Sequence, residues 1–326
     1  MTTTVKANTR AALLSAVPSL LGYIPRESLV YLPMKGTQIT RAMRLDLPKD
    51  APDFGIAVQA LILRIGTDAG ILIAYSDAPE GYAEMVAGVS DSTFPHVDIV
   101  EELWVSSTEF GSYLADGPAQ PASLIQIDPT LGHVAPTNEP EALPVLDEYQ
   151  RGLFSTATEA QNAAGFPAKL LPHYLEGLLM GDDDERTPGI AAGVLASFFE
   201  KPVYRDIILG TLAHGVEHGR AAVKAQEDWE QGKEYPDAVA AFMMGQGPRP
   251  DVKRLEAGLK WARLAASGGM AGALSVCAWI SWALGRSTHA LRYAEMALEV
   301  DPSHGFARIV HTFCQAGRVP DWAFAN

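Results

Sequence analysis

Leu13-Leu14-Ser15-Ala16-Val17-Pro18-Ser19-Leu20-Leu21-Gly22-Tyr23-Ile24-Pro25-Arg26-Glu27-Ser28-Leu29-Val30-Tyr31-Leu32-Pro33-Met34 is the stretch from which the fold can be read. Asn8 or Thr9 is suited to cap a helix running to about Val17, and Pro18 suits the start of a further short turn. Gly22 suits a left-handed stop. Leu29 to Met34 is a short apolar strand. A helix that gives way to a buried strand within a dozen residues is the opening of a layered α/β unit.

Working outward, Lys35-Gly36-Thr37 is a turn, and Ile39 to Leu47 alternates as its hairpin partner. Residues 53–66 read as a helix, and Gly70 to Ser76 as a strand buried on both faces. A helix near 80–88 precedes a strand from Val97 to Val105, with shorter extended pieces at 110–115 and 123–127. This pattern predicts a mixed sheet covered by helices. Pro129 to Pro144 holds four prolines and reads as a linker. Beyond it helices are predicted at 145–163, 167–180, 188–200, 203–231, 235–244, 251–266, 270–284, 287–299 and 303–316. The expected architecture is therefore an α/β domain over residues 1–135, with α+β as the alternative class, and an all-α helical-hairpin domain over 136–326.

The last hairpins, near 270–316, resemble tetratricopeptide repeats. Gly285 ends one helix, Ala290 and Ala297 recur on the next, and Pro302 closes the unit, with Ala278 as the small residue of the first helix. Phe313 and Gly317 echo the pattern at a spacing short of the ~34-residue period.

Lys plus Arg number 25 against 39 Asp plus Glu, a net charge of −14. Such a surface repels phosphate backbones, so general nucleic-acid binding is not expected. Two cysteines, Cys277 and Cys314, form no CxxC pair and lie in apolar helical patterns, which predicts buried thiols and a cytoplasmic location. Lys6 to Leu21 has the look of a secretory signal, but Pro18 interrupts it and no cleavage site follows. Leu264 to Gly285 carries no charge, yet Ser267, Gly268 and Gly269 cut it below the ~20 residues that span a bilayer. No membrane insertion is expected.

Three places could carry chemistry. The loop Gly22, Pro25, Arg26, Ser28 could present backbone N–H groups and a hydroxyl to a ligand, or simply shape a helix-to-strand turn. His214, Glu217 and His218 match HxxEH, in which two imidazoles hold a metal and the glutamate acts as base; the simpler reading is a solvated helix end. Gly181 to Arg186 is an acidic run that could meet a hard cation or merely solvate a turn. Ser106-Ser107 lacks a nucleophile-elbow motif, and Trp104, Phe110 and Tyr113 are expected to pack across a hairpin. No cofactor is expected, and the balance of motifs leans away from an enzyme.

Three stretches carry a family resemblance: residues 13–34, EELWVSSTEFGSYLAD around Trp104 and Tyr113, and WALGRSTHALRYAEMALEVDPSHGFARIV from Trp282 to Val310. They resemble an actinobacterial family known as a domain of unknown function, numbered 4192. The resemblance implies no established activity and transfers no catalytic residue. In that family the segment after the tyrosine often contains cysteines; here LADGPAQPASL has none, which puts any metal or redox role of relatives in doubt. The leading expectation is a non-enzymatic protein-binding or regulatory module, with another protein or a second copy of the chain as partner. The alternatives are a small-ligand-binding protein or enzyme using the Gly22–Ser28 loop and, more remotely, an HxxEH metal hydrolase.

Overall fold

The computed structural model describes residues 8–39, 42–47, 53–115, 117–127, 142–181 and 188–323. Contacts divide the chain into two units, Met1–Pro140 and Glu141–Asn326. Most of the Pro129–Pro144 linker and the acidic run Asp182–Arg186 lie outside the described residues.

In the first unit, helix α1 (Arg10–Leu21) begins where the Thr9 hydroxyl accepts the Ala12 N–H at 3.1 Å. Pro18 starts no new turn; it sits inside this helix. It removes one intrahelical bond close to the end, and Gly22, at φ 83°, closes the last turn onto the Pro18 carbonyl at 2.8 Å.

Strand β1 (Ser28–Lys35) follows. The expected single partner over Ile39–Leu47 is two pieces, β2 (Gln38–Ile39) and β3 (Met43–Asp46), both antiparallel to β1. Met34 faces Ile39, whereas Tyr31 faces Met43, so the two pieces pair with β1 in registers one residue apart. Then come α2 (Phe54–Ile65), β4 (Ala69–Tyr75), a 3-10 turn over Pro79–Tyr82, α3 (Ala83–Thr93), β5 (Asp98–Val105), β6 (Glu109–Ser112) and β7 (Gln120–Pro121). The piece expected as extended at 123–127 begins instead in a 3-10 turn, Ala122–Leu124.

The sheet order is β2-β1-β4-β5-β6-β7, with β3 also on β1. Among the described residues only β4 and β5 pair in parallel, and α3 makes the crossover that parallel pairing requires. The sheet is mixed and helix-covered. Val30, Leu32, Ile71, Ile73, Leu103, Val105 and Phe110 point to one face and form a core with Leu13, Leu14 and Val17 of α1. By alternation Leu29, Tyr31, Leu72, Glu102 and Trp104 point to the other face, where α2 packs on β1 and α3 on β5. Gly70 lets that face close up: a Cβ there would lie 2.2 Å from the Tyr31 ring.

The second unit is all helical: α4 (Glu148–Ala164), α5 (Leu171–Met180), α6 (Pro188–Phe199), α7 (Pro202–His214), α8 (Val216–Glu230), α9 (Asp237–Ala240), α10 (Val252–Ala266), α11 (Ala271–Ala283), α12 (Ser287–Val300) and α13 (Gly305–Gln315). The helix expected over 203–231 is two, broken at Gly215, whose φ of 87° no helix accommodates. The helix expected over 235–244 shrinks to α9 and a 3-10 turn, Ala241–Met244.

Ala278, Ala290 and Ala297 are fully buried where α11 and α12 meet, Gly285 turns between the two helices at φ 79°, and Pro302 lies in the turn before α13. All 13 residues of α11 are buried. It packs against α6, α10, α12 and α13, and its Trp279 and Trp282 indoles donate to the Met243 and Arg318 carbonyls at 3.0 and 2.7 Å. The helix that the repeat reading takes as the first of its pair is thus buried along its whole length. Among the described residues no helix is long and apolar enough to cross a membrane.

Candidate functional site

The parallel strands β4 and β5 both end, in the carboxyl direction, at the edge where antiparallel β1 begins, since Ser28 pairs with Tyr75. Three loops therefore converge: Gly22–Ser28, the segment after Tyr75, and Ser106–Thr108. The crevice outside the carboxyl ends of parallel strands is where open α/β sheets usually hold ligands.

The side chains there are knitted together. Glu27 adopts φ 40°, a left-handed conformation uncommon outside glycine. From it the carboxylate accepts the Ser76 hydroxyl at 3.1 Å and the Asp77 N–H at 3.4 Å. Asp77 in turn accepts the Ser107 N–H at 2.7 Å, joining the second loop to the third. The Ser107 donors, with a smaller contribution from the Arg26 charge, hold the Asp77 carboxyl below the usual range. The Ser106 hydroxyl accepts the N–H groups of Thr108 and Glu109 and fixes the third loop internally.

The residues singled out in the first loop divide. Gly22 serves as the helix stop, and Pro25 is buried. Ser28 is fully buried as the first residue of β1; its hydroxyl donates to the Arg26 carbonyl and accepts the Arg44 Nε–H at 2.7 Å. Arg44 also pairs with Asp46. Ser28 is thus a fastener of the loop, and the groups facing water are Arg26 and Glu27. Glu27 escaped sequence reading because its role depends on a backbone conformation that no motif announces.

The family model described as a domain of unknown function (DUF4192) matches residues 11–142. No curated protein and no solved structure matches the chain. The DUF4192 stretch runs from α1 to beyond β7 and so contains all three loops. It includes the first two of the stretches that carry the resemblance; Trp282–Val310 lies outside it.

Within the DUF4192 stretch, Trp104 and Phe110 do lie on neighbouring strands but on opposite faces. Phe110 pairs with Val105 and is buried in the α1-side core. Trp104 pairs with Gly111, and its indole lies so close that a Cβ there would stand 2.6 Å from it. Tyr113, just past β6, donates its hydroxyl to the Pro79 carbonyl at 2.7 Å.

The HxxEH residues lie at the α7–α8 break. Because Gly215 interrupts the helix, His214 and His218 do not project from one continuous face. Their ring centroids are 5.0 Å apart and both meet the Phe242 ring edge-on. His218 bonds the Val239 backbone, and both Nε2 atoms are buried without a hydrogen-bond partner. Burial pulls both imidazoles below their usual range, His214 further through its neighbour. Glu217 is exposed and pairs with Arg220 at 2.6 Å. Among the described residues no three His, Cys, Asp or Glu side chains are grouped to hold a metal. The Cys277 thiol, fully buried, is pushed up by desolvation.

Proposed function

We propose that the chain is a non-enzymatic binding protein whose α/β unit takes a small polar ligand at the carboxyl ends of β4 and β5. The supporting observation is Glu27. A charged residue sits in a costly backbone conformation and bonds the segment after β4, which in turn holds the loop after β5. Strain of this kind, at the fold's customary ligand edge, suits a site whose loops must be held in place before the ligand arrives. The hydroxyls present fasten loops: Ser28 to Arg44, Ser76 to Glu27, Ser106 to backbone. This favours binding over nucleophilic catalysis.

A protein partner docking on the helical unit would have to use a face other than α11, which is buried throughout. Native mass spectrometry of protein purified gently from its host tests the reading. One small molecule per chain, lost in a Glu27→Ala variant that still folds, is the expected result. A chain that carries no small molecule and retains another polypeptide would overturn it.

A further inference from the structure

Helix α13 starts from His304, a residue that takes the place usually filled by Ser, Thr, Asp or Asn: its Nδ1 accepts the Ala307 N–H at 3.2 Å. A neutral imidazole accepts there only with its proton on Nε2. A second proton turns Nδ1 into a donor and abolishes the cap. It also sets a cation at the end of the helix where the backbone dipole is positive. The capping bond therefore depends on the charge of His304, as a hydroxyl or amide cap would not.

The half-buried imidazole has charges of both signs around it. From α7, Arg205 lays its guanidinium 4.1 Å from the centre of the Phe306 ring, in the first turn of α13, and bonds Asp206 at 2.8 Å. In the turn before α7, Glu200 accepts the Gly272 N–H at 2.7 Å, and Lys201 lies over the Tyr204 ring. In the turn after α12, Asp301 accepts the Ser303 N–H at 2.9 Å and the Ser303 hydroxyl at 2.7 Å. α12 pairs its own Arg292 with Glu295, α11 brings no charged residue, and Arg308 of α13 is exposed. Burial first, and then the Arg205 charge, hold the imidazole below its usual range, against the opposite pull of Glu200 and Asp301. Beyond the cap, α13 buries Phe306, Ala307, Val310 and Phe313 and packs on α11 and α12.

We propose that His304 is a proton-operated latch: neutral, it caps α13 and keeps the start of the helix docked; protonated, it releases that first turn while the rest of the helical unit stays folded. Because the folded imidazole titrates below its usual range, the cap is complete above about pH 6.5 and is lost as pH falls through the folded value. Release bares the Phe306 ring and frees the Arg205 guanidinium stacked on it.

Amide hydrogen exchange of the full chain at pH 7.5 and 5.5, corrected for the intrinsic rate, tests it. Protection of residues 307–310, taken relative to α11, should fall about fivefold toward pH 5.5, the size of a lost N-cap. His304→Asn caps the helix with a group that does not titrate and should keep its protection at both pH values; His304→Ser is a second such cap if the asparagine protein fails to fold. His304→Ala should show the low protection at both. Unchanged protection in the parent overturns the proposal, as does an equal fall in a folded His304→Asn or His304→Ser protein, which assigns the acid sensitivity to another group. A fall shared equally by α11 overturns it too, since that is unfolding of the whole unit.

Discussion

Glu27 and Gly70 show how single residues shape the α/β unit by opposite means. Glu27 holds a left-handed backbone that a glycine would adopt freely. Glu27→Gly should therefore recover strain while losing the bonds to Ser76 and Asp77, leaving stability within about 1 kcal/mol of the parent. Glu27→Ala loses the bonds and keeps the strain, and should cost about 1–2 kcal/mol more than Glu27→Gly; urea unfolding of the pair measures this. Equal stability of the two variants would remove strain from the account. Gly70 is needed for a different reason. A methyl there meets the buried Tyr31 ring, so Gly70→Ala should destabilise by about 1–3 kcal/mol in the same assay, more than an alanine at the open Gly88.

Neither role was legible in the sequence. Gly70 lay inside a run read correctly as a strand, but its close approach to Tyr31 depends on the antiparallel pairing of β1 and β4, which sequence alone does not supply. Glu101-Glu102 is a similar case. Alternation puts the two carboxylates on opposite faces, yet which of them meets Arg10 depends on the pairing of β5 with β4, which sets Glu101 opposite Ile71 on the α1 side and Glu102 opposite Leu72 on the other.

At the scale of elements, the strand and helix pattern was readable where periodicity was clean. β1, β4, β5 and the helices from α10 onward lie close to where the sequence places them. It failed where one residue type has two uses. Pro18 can open a helix or sit in its last turns, and Gly215 can be tolerated in a helix or break it. The second outcome brings His214 and His218 together over Phe242 and has a pH consequence.

Both imidazoles have lowered pKa values in the folded chain, so the unfolded state binds protons first as pH falls. Their contribution to stability is complete above about pH 6.5 and declines as pH drops below that toward the folded values. The urea midpoint should fall between pH 7.5 and 5.5, and a His214→Phe, His218→Phe protein that folds should lose less over the same interval. An equal loss would assign the acid sensitivity elsewhere.

For the whole molecule, the DUF4192 match and the convergent loops fall in the same unit, while in the helical unit every residue of α11 is buried. The acidic balance predicted no nucleic-acid role but could not point to the sheet end, because net charge carries no placement and Glu27 and Asp77 are bound there by a hydroxyl and by backbone N–H groups. The most direct test is amide hydrogen exchange of the full chain with and without the small-molecule fraction extracted from host-purified protein. The account predicts slower exchange at Ser76–Pro79 and Ser106–Glu109, with α10 to α13 unchanged. Protection confined to the helical unit, or absent from both loops, would contradict it.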